Sequence, residues 1–431
     1  MRKQDFTHKV KRGVKKIWGR AVHTYDIDAP HNDPIFSQPI HSDGSEASTE
    51  SSKPLVLVKG GIDIPFLLIV ISLAVFGAVM AYSASSVYAD QYHGGDSAYY
   101  LKRHILYLLL GFASLVCAVM FVKPSMWRVV GVGAYGVSII LLLLVLVMGS
   151  SYGSGATRWI QIGPISVQPS EIAKMAVILM IALVMSKYER QIKNDQKFGG
   201  QLQYGILYPM LIFGTICVLV MLEKHLSGII IIGILGLLTM YLGGAKGKYM
   251  AVIMGVCVVG VLVVLLFSDY AQTRVHTWLN IDKVDPLGPA WQTLQGLSAI
   301  GSGGFFGKGL GNSQQKYGYV SQPQNDFIFT IVCEELGFIG AVCVVVLFCL
   351  LLWRGFKIAS KAPDKFTALV VYGLVAKVGI QTLMNIAVVT NSMPNTGISL
   401  PFFSSGGTSL ILQIFEMGII LSISRYSRQK R

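Results

Sequence analysis

Runs of about twenty apolar residues recur along most of this chain, separated by short polar segments. Coiled as an α-helix, a run of that length matches the hydrocarbon thickness of a bilayer. The pattern predicts ten helical spans, near 63–83, 104–122, 129–149, 172–186, 205–222, 226–242, 249–267, 327–353, 366–390 and 408–424. The fourth and sixth are short and contain polar residues. The expected fold is an all-α polytopic membrane protein of ten transmembrane helices. Residues 1–60 break the pattern. Their low-complexity patch, HSDGSEASTESSK, cannot bury enough apolar area to fold alone. A disordered basic tail is therefore expected, then a membrane domain over 61–424 and a short tail over 425–431.

Two outer loops are long, 150–171 and 268–325, and long irregular loops are usually functional or disordered. Within the second, PAWQTLQGLSAI places Trp291, Leu294, Leu297 and Ile300 at helical spacing, which predicts a short helix on the membrane surface. The glycine-rich GSGGFFGKG that follows resembles a phosphate-binding loop but fails its pattern, because Ser302 and Gly309 stand where Gly and Ser or Thr are required. It reads as a hinge. The last outer loop, 391–410, is dense in Pro, Gly, Ser and Asn. It reads as an ordinary turn or as a re-entrant segment lining a cavity.

Composition agrees with the pattern: 53% of the 431 residues are hydrophobic and 13% are charged, against about 25% charged in a globular protein. The net charge of +14 does not point to nucleic acid. Of 36 Lys and Arg, 26 lie in the N-terminal tail, the loops at 123–128, 187–197, 246–248 and 354–365, and the tail after Ser424. That asymmetry places both termini in the cytoplasm. All six cysteines fall within apolar spans and read as small core residues. No His or Cys pair stands at metal-ligand spacing, so no metal site is expected.

Ionisable groups in a span cost about 2.5–3.5 kcal/mol each at mid-bilayer, so those present need a reason. In QPQNDFIF, Asp326 stands where a span begins, with Glu334 and Glu335 two turns deeper. Asp326 could simply cap the helix; as the most exposed acid beside the longest outer loop it is also the best candidate for a base. Glu334 and Glu335 read as structural, with Lys377 as the expected partner. In GATRWIQIGPISVQPSEIAK, Gly163-Pro164 predicts a turn between two extended pieces, and Ser170 is a candidate cap for the helix that follows. Glu171 and Lys174 share a face there, as a self-paired salt bridge or as a cavity lining. Arg158 and Trp159 read as an interfacial anchor or as contacts to a phosphate and a sugar. EKHLSG, 223–228, forms a tight outer turn in which a lone histidine is more often structural than a ligand.

QPSEIAK, IGSGGFFGKGLGNSQQKYGYVSQPQNDFIFTIVCEELGFIGA and GISLPFFSSGGTSL resemble, in order, the signature stretches of the SEDS family (shape, elongation, division and sporulation). The resemblance covers about 60–424, and LPFFSSGG with the polar tail is most similar to its cell-division branch. It implies a peptidoglycan glycosyltransferase that polymerises lipid II, a disaccharide-pentapeptide on undecaprenyl pyrophosphate. The expected setting is the outer face of the bacterial cytoplasmic membrane. Implied partners are a class B penicillin-binding transpeptidase and other division membrane proteins. The family's essential aspartate falls on Asp326, its RWI tryptophan on Trp159, and its embedded Glu and Lys on Glu171 and Lys174. Two stretches depart: EKHLSG stands where many members have QPDLGT, so His225 replaces an acid, and QNDFIF stands for HTDFIF, so Asn325 replaces a threonine.

The implied chemistry fits the residues. A sugar hydroxyl needs a base, and a diphosphate leaving group needs charge stabilisation more than a proton. Asp326 is the expected base. Arg158, Lys308 and Lys316 are candidates for the pyrophosphate, and Ser404 and Ser405 for further substrate contacts. No cofactor is required, although a divalent cation stays open. Two rival readings stand beside this one: a lipid II flippase whose path is lined by Glu171, Lys174, Glu334, Glu335 and Lys377, and a non-catalytic scaffold that activates a penicillin-binding protein.

Overall fold

Asp63 sets the start of the membrane domain, because its carboxylate accepts a hydrogen bond from the Phe66 amide at 3.0 Å and caps the first helix. A computed structural model describes residues 55–430 except 150–157, 163–164, 195–199, 224, 282, 286 and 405–406. The first helix, α1, runs Ile64–Tyr92, followed by α2 (Tyr99–Phe121) and α3 (Trp127–Met148). A small hairpin, β2 (Ile160–Ile162) with β3 (Ile165–Val167), leads into α4 (Pro169–Lys187). The predicted turn between those strands lies outside the described residues. Next come the short α5 (Glu189–Lys193), a wide π-helical segment at Gly200–Leu207, α6 (Tyr208–Leu222), α7 (Leu226–Gly243) and α8 (Gly247–Phe267). The long outer loop holds α9 (Asp269–Leu279) and α10 (Trp291–Ser302); the latter is the predicted surface helix, the former was not foreseen. The chain then forms α11 (Ile328–Ser360), α12 (Lys365–Val389) and α13 (Thr408–Ser424).

Among the described residues eight helices are long and apolar enough to cross a bilayer. Two shorter apolar stretches, 247–260 and 408–424, occupy the seventh and tenth predicted positions. The protein is thus a polytopic all-α membrane protein, with eight spans supported by length and composition. Residues 1–54 of the expected tail lie outside the described residues; Leu55–Lys59 form a strand, β1, which pairs antiparallel with β4 (Tyr426–Lys430). The six cysteines are free thiols.

Burial divides the helices by role. α4 and α12 are the most enclosed. α4 packs on α3, α6, α7 and α12, and α12 also packs on α11 and α13. Both are apolar around their whole circumference, which suits a helix with neighbours on every side. Both also carry charge, which is tolerable because neither presents that charge to lipid. α2 and α13 form the most extensive pair. Their close approach uses Gly111 and Gly418: a methyl at either would lie 2.9 Å from Ile414 or 2.8 Å from Leu115.

α11 is broken at Gly337, where φ is +65°. The break frees backbone groups, and the glycine-rich loop takes them up. The amides of Lys308 and Gly309 donate to the carbonyls of Glu334 and Glu335 at 3.0 and 2.9 Å, and the Phe338 amide donates to Gly304 at 2.9 Å. A Cβ at Gly337 would lie 2.3 Å from the Gly307 nitrogen. The segment read as a hinge is therefore a backbone splice into a membrane helix. Gly337→Ala combines a positive φ with that clash. It is expected to cost more than about 2 kcal/mol and to expose residues 303–316 to protease in the detergent-solubilised protein. Unchanged melting and unchanged loop protection would refute the splice.

Candidate active site

Asp326 does not cap α11. The N-cap is Phe327, and no side chain bonds the first amides. The simplest structural explanation for this carboxylate therefore falls away. Its backbone is fixed instead. Asn385 of α12 donates through Nδ2 to the carbonyls of both Asp326 and Ile398, each at 2.7 Å. Ser404 Oγ donates to the Asn325 carbonyl at 2.5 Å. These bonds tie the Asp326 segment to the last outer loop. Gly397 (φ +67°) abuts the carboxylate, since a Cβ there would lie 3.7 Å from Oδ2. Burial pushes the Asp326 carboxyl above its ordinary range, its own backbone amide opposes this, and Arg274 of α9 opposes it further. Arg274 also bonds the Asn395 carbonyl, and Trp278 Nε1 donates to the Asn391 carbonyl at 2.9 Å, so α9 braces the loop.

Gly397, Ile398 and Ser399 form one wall of a cavity of about 110 Å³. Arg158 and Trp159 reach it from ahead of β2, Glu171 and Lys174 from α4, His225 and Ser227 from the start of α7, and Gln381 from α12. A smaller cavity of about 30 Å³ shares Glu171, Gln381 and Ser399 and adds Ser404 and Gln413. The last outer loop buries Ile398, Leu400, Phe402 and Phe403, so of its two readings the cavity-lining segment is the one the structure realises. Phe402 adopts φ +67° there, a strained conformation held by packing. Ser405 lies outside the described residues.

Beneath the cavity four charges form one chain. Lys174 Nζ bonds Glu171 at 2.5 Å; Lys377 reaches Glu171 at 3.4 Å and Glu416 of α13 at 2.6 Å. Lys377 and Glu416 are at most 1% exposed. This corrects the expectation that Lys377 pairs with Glu334 and Glu335. Those acids face the outer loop. Glu334 accepts from Lys308 at 2.8 Å, Ser313 Oγ at 2.5 Å and the Gln314 amide at 3.0 Å. Glu335 accepts from Ser83 of α1 at 2.6 Å and Lys316 at 3.2 Å. Lys308 and Lys316 are therefore held by buried carboxylates rather than offered to a diphosphate. Glu416 was missed, although an acid in the middle of 408–424 was the signal. Ser170 is not the cap of α4; Gln168 holds that position, without a side-chain cap bond, and Pro169 follows. Glu223 is buried beside Arg158, its carboxyl pushed up to about 8 by burial. Among the described residues no three His, Cys, Asp or Glu side chains converge as a metal site.

The site is thus a carboxylate beside Gly397, next to a polar cavity inside a bundle of membrane helices. Residues 64–429 match the family of cell cycle proteins comprising FtsW, RodA and SpoVE, and the chain belongs to that SEDS family. It is 36% identical over 368 residues to stage V sporulation protein E of Bacillus subtilis, covering 85% of this chain and 98% of that protein. It is 35% identical over 364 residues to a probable peptidoglycan glycosyltransferase FtsW of Trichlorobacter lovleyi, covering 84% and 93%. Among solved structures it superposes on a chain from "Structural coordination of polymerization and crosslinking by a peptidoglycan synthase complex" with TM-score 0.68 and 26% identity, covering 84% and 98%. It also superposes on the rod shape determining protein RodA of Thermus thermophilus with TM-score 0.61 and 25% identity, covering 84% and 97%.

The charge chain yields a test. Lys377→Met strands Glu416 without a counter-charge and is expected to cost about 3–5 kcal/mol, whereas the double variant Lys377→Met, Glu416→Leu regains most of that loss. Thermal melting of the purified proteins measures both; a double variant no more stable than the single one would contradict the pairing.

Proposed function

We propose that this protein is a peptidoglycan glycosyltransferase that polymerises lipid II at the outer face of the bacterial cytoplasmic membrane, with Asp326 as its base. The observation that carries the reading is the Asp326 carboxylate, freed from capping and set against Gly397 at the edge of the cavity. The acceptor sugar's 4-hydroxyl oxygen attacks the donor's anomeric carbon from the face opposite the diphosphate. The bond from that carbon to the phosphate oxygen breaks, undecaprenyl diphosphate leaves with the electron pair, and the hydroxyl proton passes to Asp326. A single displacement inverts the anomeric centre and needs one carboxylate, where glycoside hydrolysis needs two. A raised carboxyl pKa makes Asp326 a stronger base than an ordinary aspartate.

Arg158 faces the cavity and supplies charge for the leaving diphosphate, with the Lys174–Glu171 pair lining the cavity beside it. Trp159 offers a face for a sugar. The intramembrane acids and lysines are satisfied by one another, which favours a fixed core over a translocation path. The partner in this reading is a class B penicillin-binding transpeptidase in a division complex at the septum. Both termini lie in the cytoplasm, and the catalytic unit spans residues 61–424.

The test is lipid II polymerisation by the purified complex with transpeptidation blocked. Asp326→Asn is expected to reduce glycan product by at least about 100-fold while leaving complex formation intact; equal product from both proteins would remove Asp326 as base. The pH profile gives a second check. The base acts ionised, so kcat is expected to fall as pH drops through the raised Asp326 pKa, at a higher pH than the usual value of about 3.9 for aspartate would set. The same shift means that ionised Asp326 destabilises the fold as pH rises through this window. Asp326→Asn is therefore expected to melt at a higher temperature than wild type at neutral pH, and a lower one would count against the buried setting.

A further inference from the structure

His225 is the chain's own departure at the cavity, and its surroundings give it work. It is the N-cap residue of α7 and makes no side-chain cap bond. It is 6% exposed, lines the cavity, and its Nδ1 has no hydrogen-bond partner among the described residues. Ser227 and Gly228, in the first turn of α7, line the same wall. Gly228 keeps the ring against the helix start, since a Cβ there would lie 2.9 Å from Nδ1. Gln168, the uncapped N-cap of α4, lines the cavity too. Two helix N-termini thus open onto one space that also holds Arg158 and Lys174. A helix N-terminus favours anions through its free amides and dipole.

Charge counting then singles out the histidine. Among the lining residues Arg158 and Lys174 stand against Glu171, leaving one net positive charge when His225 is neutral. Glu223, beside Arg158, has its carboxyl pushed up to about 8 by burial and so adds little negative charge at neutral pH. Lys377 on α12 balances Glu171 from the far side together with Glu416. A diphosphate diester carries two negative charges and does not titrate near neutral pH. We infer that His225 is a binding residue for the substrate's diphosphate and takes up a proton as that dianion enters the cavity. This rests on the lipid II polymerase reading above. In the empty site burial, then Arg158 and Lys174, hold the imidazole down to about 3, with Glu171 opposing, so the ring enters the encounter neutral. A dianion beside it reverses the balance of charge and favours imidazolium. Histidine at this position makes the affinity depend on protons.

The experiment measures KM and kcat for lipid II between pH 6 and 8, using the complex with its transpeptidase blocked. For wild type, KM is expected to rise with pH, by up to about tenfold per unit where one proton is taken up on binding. His225→Gln should flatten that rise and give a high KM throughout; His225→Arg, which stays charged even when buried, should flatten it at a low KM. The acid-side fall in kcat belongs to Asp326 and should persist in both variants. A flat wild-type KM overturns the inference without recourse to any variant. So does a slope that survives His225→Gln, and a slope abolished only by Glu223→Gln would assign the proton to that acid instead. Failure of the polymerase reading itself looks different: wild type then makes no glycan at any pH.

Discussion

Every ionised side chain this bundle buries must find its counter-charge inside the bundle, and that requirement organises the protein. An unpaired charge in hydrocarbon costs more than most single contacts return. Two groups of ion pairs meet the demand. One joins α4, α12 and α13 through Glu171, Lys174, Lys377 and Glu416. The other joins α1 and α11 to the outer loop through Ser83, Glu334, Glu335, Lys308 and Lys316. Buried pairs of this kind contribute little net stability compared with apolar packing. They do fix geometry, because each helix can satisfy its charge in one register only. The enclosed α4 and α12 are where such registers matter, since they bring Glu171, Lys174 and Gln381 to the cavity.

The two groups place the chemistry between them. Above the membrane-embedded chain sits the cavity; beside it, the outer loop is anchored through Gly337 and the paired glutamates. Asp326 lies where these regions meet, held by Asn385 and Ser404 through its backbone and its neighbour's. The carboxylate itself is left without a capping duty. Fixing the backbone while sparing the side chain suits the proposed role of Asp326 as a base. The cost is local: a carboxylate whose pKa is raised by burial is held where it would prefer not to ionise.

The apolar runs were enough to read nearly every helix, because a span must be apolar for its whole length. They also placed α10, whose Trp291, Leu294, Leu297 and Ile300 repeat at helical spacing. α9 escaped because Asp269–Leu279 is mostly polar and its one clear signal is the capping Ser268. Asp326, Trp159, Arg158, Glu171 and Lys174 were visible as polar residues at span edges, and the structure brings them to one region. Partner choice was not visible. Lys377 and Glu334 are close in the chain's order of helices, but facing directions depend on packing, and Glu416 lies on the face that α12 meets. Nothing in GSGGFFGKG announces that it enters a break in a helix beginning twenty residues later; only the glycine at 337 hinted at it. The pairing of Lys308 and Lys316 with buried carboxylates follows from that one fold-back.

The pairing of β1 with β4 has a consequence for how the protein is made. It joins segments at opposite ends of the membrane domain, and it is reinforced nearby by Asp63, whose amide donates to Ser424 Oγ across 361 residues. α2 likewise finds its main neighbour in α13. The first helices to leave the ribosome therefore wait, incompletely packed, until the final span has been delivered. Neighbouring early spans can pair as they are inserted, since α1 packs on α2 and α3 on α4, but the contacts that join the two ends of the domain form only after the last span is delivered.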